Sequence, residues 1–230
     1  MVRATILLLF FSLLNTYVYA GDNLITVQHK GSGTNITVKQ VGSSNTTGVY
    51  CGLGSFDGSL VNNHTCSNGS ISTTISGINN TAYSQSVWSN HSDQTWSIDI
   101  TGNDNYALID MDQDDNTSTI VQNGNDNQAL IMGSGNNNEY KIEQTGSDMY
   151  ARLFSFADNS DIWVTQEGSG NHNAYVYNAN GADNNSTRVI QKGLGNKDAD
   201  IFWYNDADNG QVTLTQQGDG SHTANMKFYT

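Results

Sequence analysis

The segment Tyr140-Lys141-Ile142-Glu143-Gln144-Thr145-Gly146 decides the fold, because its alternating apolar and polar residues and its Gln-x-Gly ending return along the chain. Gln-x-Gly recurs at intervals of 22, 22, 25 and 25 residues. An earlier copy begins at Gln40, and steps of 22 and then 25 residues back from Gln122 reach Ile100 and Ile75, each followed by x-Gly. Periods of 20–50 residues are typical of solenoids, propellers and other repeat arrays.

Within each copy the apolar pattern has a period of two, which is typical of a strand with one buried face. In the segment above, Ile142 and Gln144 alternate with Lys141 and Glu143, and a glycine-rich turn and a second alternating strand follow. A strand-turn-strand unit of about 22–25 residues is too small to bury its apolar face alone, so the copies must stack. The sequence therefore predicts an all-β, amyloid-like (cross-β) solenoid of stacked repeats.

Stacking in register places equivalent residues above one another in columns about 4.8 Å apart. Inward-facing glutamine and asparagine can then form amide ladders, because each side-chain amide both donates and accepts hydrogen bonds. The predicted ladder residues are Gln40, Gln122, Gln144, Gln166, Gln191 and Gln216, with Asn45, Asn80, Asn105, Asn127, Asn171 and Asn196 five positions after their anchors. The predicted turn glycines are Gly42, Gly77, Gly102, Gly124, Gly146, Gly168, Gly193 and Gly218.

The composition agrees with long, uninterrupted backbone ladders. The 230 residues include 30 Asn, 23 Gly and no Pro, and proline would remove a ladder donor at every rung that contained it. With 9 Lys+Arg against 22 Asp+Glu, the formal charge is −13. This balance excludes a basic groove for nucleic acid, which needs clustered Lys and Arg.

The chain is expected to divide into four parts: a signal peptide at 1–20, N-terminal rungs at 21–50, a cysteine loop insertion at 51–69 and the repeat solenoid at 70–230. Arg3, a short apolar stretch and small residues before Gly21 predict the signal peptide. The apolar stretch is too short to span a membrane, and no later segment is apolar enough, so no span is expected in the mature chain.

Export to an oxidising compartment favours a disulfide between Cys51 and Cys66, since the count is even and the loop is local. Closing that loop would stabilise the fold by about 3 kcal/mol through the unfolded chain. A free reactive thiol is the alternative.

The sequence carries no catalytic motif, and no catalytic residue, metal site or cofactor is expected. Gly-x-Ser-x-Gly and His-Glu-x-x-His are absent from it. The acidic run Asp110–Asp115 lacks the glycine and the final glutamate of an EF-hand, so a solvated acidic turn is preferred there and in the column Asp158/Asp183/Asp208, with a looser cation site as the alternative. His172 and His222 share a turn column and are expected to be solvated.

The pattern apolar-x-apolar-x-Gln-x-Gly-x-x-Asn-x-Ala resembles the curlin repeat over roughly residues 23–230. Curlins are secreted subunits of curli, the functional amyloid fibres of Gram-negative biofilms. The resemblance implies that the glutamine and asparagine columns are the amyloid ladder residues of a cell-surface fibre. It also implies, as partners, further copies of the chain, a nucleator subunit and an outer-membrane secretion apparatus.

Two other function classes stay open. A capped extracellular solenoid acting as an adhesin or as a ligand- or ice-binding protein would need a flat face of regular Thr or aromatic residues, of which Thr213 and Thr215 form only a fragment. A β-helix enzyme would need a cleft built from inserted loops, and the cysteine loop is the sole long insertion. Fibre formation leads, because the sequence shows no residues that cap the last rung.

Overall fold

The structure is a computed structural model, and it describes residues 3–9, 13–19, 21–52, 65–86, 91–111, 116–133, 138–155, 159–177, 186–202 and 211–227. Every secondary-structure element among these residues is a β-strand. The strands are β1 (Arg3–Leu9), β2 (Leu13–Tyr19), β3 (Leu24–Lys30), β4 (Asn35–Ser43), β5 (Thr46–Cys51), β6 (Cys66–Ser67), β7 (Ser70–Ile78), β8 (Thr81–Ser86), β9 (His91–Ser92), β10 (Thr95–Asn103), β11 (Tyr106–Met111), β12 (Thr117–Asn125), β13 (Gln128–Gly133), β14 (Glu139–Ala151), β15 (Asp161–Ala174), β16 (Ser186–Lys192) and β17 (Gln211–Gln217).

The strands form a β-solenoid whose rungs each contain two arms joined by a tight turn. The Gln-x-Gly arms stack in the order β2-β4-β7-β10-β12-β14-β15-β16-β17, and the following arms stack as β1-β3-β5-β8-β11-β13 before joining β14. The strands within each stack pair in parallel, as β10 does with both β7 and β12. The short strands β6 and β9 also pair in parallel and form a separate two-stranded sheet.

The equivalent residues of successive repeats face one another across these pairs. Gln122 pairs with Gln144, Gln144 with Gln166, Gln166 with Gln191, and Gln191 with Gln216. Where the anchor is isoleucine, Ile75 lies between Gln40 and Ile100. The 22- and 25-residue register inferred from the sequence is therefore confirmed as the register of the sheets.

The core lies between the two arms and consists of the residues that alternate inward. Along β14, for example, Tyr140, Ile142 and Gln144 are buried, whereas Lys141 and Glu143 are half-buried on the outer face. The second arm contributes a column of small residues, Ala82, Ala107, Ala129, Ala151, Ala174 and Ala199, all buried. These alanines let the two arms approach closely, so that a short repeat can still enclose a dry interior.

A recurring geometry closes each turn between the arms, and it depends on residues that adopt a positive φ. The anchor glycines do so, from Gly42 (φ 109°) to Gly218 (φ 110°), and Asp104, Asp126 and Asp148 follow in the left-handed region at φ 56–57°. Aspartate and asparagine tolerate this region better than other residues with side chains. The abundance of Asn, Asp and Gly thus follows from the number of turns.

Strands β1 and β2 lie at one end of the stack, and β5, which carries Cys51, lies two strands from β1 in the same sheet. Strands β1 and β2, within the expected signal peptide, pair with β3 and β4. Cys51 and Cys66 are joined by a disulfide with their Cα atoms 5.5 Å apart, as expected from the sequence. Residues 53–64 of the loop, Asp112, Asp114 and Asp115 of the acidic run, and the column Asp158/Asp183/Asp208 lie outside the described residues. In the part that is described, no helix is long and apolar enough to cross a membrane.

The turn glycines give a direct test of the stacking. A Cβ on Gly146 would overlap the carbonyl oxygen of Gly168 in the next rung, whereas a Cβ on Gly218 would meet no atom within 4 Å in the part of the chain that the structure describes. Both positions have a positive φ, so alanine is strained at each. We expect Gly146→Ala to lower the free energy of unfolding by about 3 kcal/mol or more, and Gly218→Ala by about 1–2 kcal/mol.

Urea unfolding of the freshly purified monomer, followed by circular dichroism, measures both values. Equal losses in the two variants would contradict rung-on-rung stacking at Gly146.

Candidate functional site

The glutamine column forms a continuous hydrogen-bonded ladder in the C-terminal half of the solenoid. The Nε2 of each glutamine donates to the Oε1 of the glutamine in the next rung, at 2.9 Å from Gln122 to Gln144 and 2.8 Å from Gln144 to Gln166. The ladder continues at 2.9 Å to Gln191 and at 2.9 Å to Gln216. All four bonds run in the same direction, so each amide directs one donor toward the C-terminal end of the stack.

Each of these amides also ties its own arm to the second arm of the preceding rung. The Nε2 of Gln122 donates to the carbonyl of Tyr106 at 2.9 Å, and the Nε2 of Gln144 donates to that of Gln128 at 2.7 Å. A buried amide that bonds to both the preceding rung and the next avoids the desolvation penalty of an unpaired polar group. The column is therefore a structural device rather than a reactive one.

The ladder is interrupted where isoleucine replaces the anchor glutamine. Ile100 precedes Gln122, and the Oε1 of Gln122 is buried without a hydrogen-bond partner among the described residues. Gln40 faces Ile75 on its C-terminal side, and its Nε2 turns to the carbonyl of Leu24 and the hydroxyl of Thr47. Its Oε1 is likewise buried and unpartnered among the described residues.

The asparagine column lies at the turn and bonds mainly to the backbone. The backbone N–H of Asn105 donates to the Oδ1 of Asn80 at 3.0 Å, and the Nδ2 of Asn105 donates to the carbonyl of Gly124 at 2.7 Å. Asn45 and Asn127 make the same two kinds of bond. Each buried asparagine thus ties its own turn to the turns before and after it, together with the glycine that permits the turn.

The structure differs from the sequence prediction at Asn171 and Asn196, which are exposed and stand outside this column. The turns that contain Gly168-Ser169-Gly170, Gly193-Leu194-Gly195 and Gly218-Asp219-Gly220 are one residue longer than the others. The buried turn position therefore falls one place later, on His172 and Lys197. Counting from the anchor missed this shift, and the second glycine of Gly-x-Gly is the signal that could have revealed it.

His172 is buried rather than solvated, contrary to the expectation from the sequence, and His222 in the last described rung is half-buried. The Nε2 of His172 lies 2.8 Å from the carbonyl of Gly193, which is the bond that asparagine makes elsewhere in the column. Burial lowers the pKa of His172, the bond to Gly193 opposes that shift, and the charge of Lys197 adds to it. Lys197 donates from its Nζ to the carbonyls of Leu194 and Gly195, at 3.1 and 3.3 Å.

A further amide column, which the sequence analysis did not identify, precedes the first arm. Asn116 and Asn138 are buried six residues before Gln122 and Gln144, and the Nδ2 of Asn138 donates to the Oδ1 of Asn116 at 3.3 Å. The Oδ1 of Asn138 accepts from the backbone N–H of Ser160 at 2.8 Å. The constant distance of six residues before the anchor glutamine could have revealed this column in the sequence. Threonine, glycine, glutamine and serine, however, replace asparagine at this position in other rungs.

The two ends of the stack present strand edges with one partner each among the described residues. At one end β17 pairs only with β16, and at the other β1 and β2 pair only with β3 and β4. Parallel strands that lack a neighbour leave a row of backbone donors and acceptors free for another strand. The arrangement is therefore suited to pairing with further strands in the same register.

Comparison with known proteins supports one family. Residues 114–146, which contain β12, β13 and the first half of β14, match the family model of the curlin associated repeat. No curated protein and no solved structure matches the chain. The match covers a full ladder step, from Gln122 to Gln144, and supports assignment of the chain to the curlin-repeat family.

The interrupted ladder yields a prediction about Ile100. In Ile100→Gln, the new Nε2 can donate to the unpartnered Oε1 of Gln122, so that one buried amide satisfies another. In the control Ile142→Gln, the new amide faces only Ile120 and Val164 in its column. We expect Ile100→Gln to cost about 2 kcal/mol less in free energy of unfolding than Ile142→Gln.

The measurement is urea unfolding of both variants beside the unchanged protein. A cost for Ile100→Gln equal to that for Ile142→Gln would show that the column does not act as a ladder.

The buried His172 predicts a pH dependence of stability. Its pKa lies below the usual 6.5 in the folded chain, so the unfolded chain takes up the proton first as the pH falls. Its contribution to stability is therefore complete above about pH 6.5 and is lost progressively below it. In His172→Gln, whose Nε2 can reach the same carbonyl without titrating, we expect a smaller loss of stability between about pH 7.5 and about pH 5.5.

Thermal unfolding in a series of buffers at constant ionic strength compares the two proteins. The same loss over this pH range in both would refute a role for His172.

Proposed function

We propose that this chain, which carries the curlin associated repeat, is a secreted structural subunit that self-assembles into extracellular curli-like amyloid fibres for surface adhesion and the biofilm matrix. The match at 114–146 supports the proposal, since curlin repeats belong to a structural family. The parallel, in-register cross-β stack of the chain has the geometry of such a fibre within a single subunit. Assembly then repeats between subunits the parallel strand stacking that folding forms within one subunit.

The observation that carries the proposal is the open surface of the last rung. Inner turn glycines are covered by the carbonyl of the next rung, but no atom of the described residues lies within 4 Å of a Cβ built on Gly218 or Gly220. The Oε1 of Gln216 accepts the ladder bond from Gln191, and its Nε2 donates to no further glutamine among the described residues. The last described rung thus offers the surface that each inner rung offers to its successor.

The complementary surface is created by loss of residues 1–20, which we propose are a cleaved signal peptide. Their removal takes away β1 and β2 and leaves β3 and β4 with free edges. Removal of Val18, which pairs with Gln40, uncovers this glutamine, whose Oε1 has no hydrogen-bond partner among the described residues. A second copy can supply that hydrogen bond from the Nε2 of Gln216.

This match sets the register of the junction. With Gln216 beside Gln40, Gly218 lies beside Gly42, and the inward residues Val212 and Leu214 of β17 lie beside Ile36 and Val38 of β4. Apolar residues meet apolar residues, and the turn glycines meet as they do inside the chain. In the second arm, β3 of the second copy already lies beside β5, so residues 221–227 of the first copy must leave that position for this junction to form. Along the first arm, the junction adds paired backbone, buried apolar area and a ladder step.

Electrostatic repulsion opposes assembly. The mature chain retains 8 of the 9 basic residues against 22 acidic ones, a formal charge of −14. Some columns already place like charges side by side, as Glu139 beside Asp161. Salt shortens the Debye length from about 10 Å at 0.1 M to about 3 Å at 1 M, so it should speed assembly. A nucleator subunit and an outer-membrane secretion apparatus complete the proposal as partners.

The proposal predicts that purified mature protein, residues 21–230, forms thioflavin-positive fibres with a cross-β diffraction pattern at neutral pH, and forms them faster at higher salt. Gly218→Ala should block elongation, because its methyl group would overlap the carbonyl of Gly42 in the next copy, while the monomer stays folded. The control Thr213→Ala changes an exposed side chain of the same strand and should assemble normally.

The junction register can be read from crosslinks in these fibres. In the register with Gln216 beside Gln40, the outward positions 37 and 213 are neighbours, so the double variant Thr37→Cys/Thr213→Cys should give a ladder of disulfide-linked oligomers on non-reducing gels. The pair Lys39→Cys/Thr213→Cys is displaced by two residues and should crosslink weakly. A protein that stays monomeric for days at all salt concentrations, with or without seeds, would overturn the proposal.

A further inference from the structure

The cysteine loop is anchored beside a buried histidine that the fibre ladder does not use. His29 in β3 pairs in register with Cys51 in β5, and Cys51 is bonded to Cys66. One ring nitrogen of His29 and the two sulfur atoms lie within 4.8 Å of one another. All three side chains are buried, with exposed fractions of 0 %, 0 % and 1 %.

The hydrogen bonding of His29 leaves one nitrogen available as a ligand. Its Nε2 lies 3.0 Å from the carbonyl of Cys66, and a carbonyl oxygen can only accept, so the proton of the neutral ring is on Nε2. Its Nδ1 then carries the lone pair, and it has no hydrogen-bond partner among the described residues although it is buried. A backbone carbonyl that holds the other ring nitrogen is the usual support of a histidine that ligates a metal.

We propose that, in the dithiol state, Cys51, Cys66 and His29 bind one Cu(I) ion through two thiolates and one ring nitrogen. The donor set is soft, as Cu(I) prefers. Structural zinc takes four ligands, whereas this cluster offers three and its burial leaves no access for water as a fourth. Cu(I) accepts three ligands, so the cluster is complete for it.

Metal binding and the disulfide exclude each other, because each uses both sulfur atoms. Binding transfers no electrons: the two thiols release two protons as Cu(I) coordinates their sulfurs. The dithiol is produced from the disulfide by a phosphine, which with one water is converted to the phosphine oxide as the bond is reduced to two thiols. The same dithiol exists in a newly made chain before its cysteines are oxidised.

The site is tested by titrating Cu(I) without oxygen into phosphine-reduced, desalted protein in competition with the chromophoric chelator bicinchoninate. We expect the reduced chain to take one Cu(I) ion from the chelator and the oxidised chain to take none. His29→Gln should weaken binding about tenfold or more. The matched control is His172→Gln, which removes a histidine that is equally buried and bonded to a backbone carbonyl but is not part of a cysteine cluster; its affinity should stay unchanged.

X-ray absorption of the copper-loaded, unchanged protein gives a readout that does not depend on how a variant folds. Two sulfur scatterers and one nitrogen scatterer are expected. Equal affinity of the reduced protein and its folded His29→Gln variant, equal binding by the oxidised chain, or a copper shell without sulfur would overturn the proposal. None of these outcomes bears on fibre formation, which is measured separately.

Discussion

The structure depends on one constraint: the buried amides of the repeating columns take their hydrogen-bond partners from the rung above or below, at the spacing of a parallel sheet. The glutamine ladder meets this constraint through its side chains, and the asparagine column meets it through bonds to the backbone of adjacent turns. A slip of one residue would turn the whole column outward, since side chains alternate between faces. Register and burial are thus fixed by the same interaction, which also requires the regular spacing of the repeats in the sequence.

The same constraint explains why exceptions occur in groups. Ile75 and Ile100 stand together, so that an apolar residue meets an apolar residue at that step and only the flanking glutamines are affected. At the turn, His172 and Lys197 follow one another in the longer turns and bond to backbone carbonyls, as the asparagines do. The outer face obeys a similar rule, since Phe154, Tyr175 and Phe202 stack edge to face with centroids 5.5–5.6 Å apart. A column accommodates a different residue when the neighbouring rungs can pack against that residue or hydrogen-bond to it.

This dependence also decides how much could be predicted from the sequence. The fold class, the register and the positions of Gln144 and Gly146 followed from periodicity, because these residues have one task and recur at constant spacing. Asn171 and Asn196 did not, since an added turn residue shifts the inward position without changing the residue type at the old one. The contact of His29 with Cys66 was also out of reach, because it joins residues 37 positions apart on different strands. Local repetition is visible in a sequence. A contact such as that of His29 with Cys66 instead depends on where the chain rejoins the stack after the cysteine loop insertion.

This pattern of bonds sets no limit to the number of rungs in a stack. Every inner rung both covers its predecessor and needs a cover, and the bonds of the glutamine ladder all point one way. The last described rung therefore carries a donor end, at Gln216, and Gln40 carries an acceptor that no described residue fills. In the assembly proposed above, two unlike ends would give head-to-tail growth, because such an interface leaves a free end after each addition. A closed oligomer would require a rotation between copies, and parallel strands in register favour translation along the stack instead. The direction of the side-chain bonds inside one chain is thus the physical argument for a polar fibre.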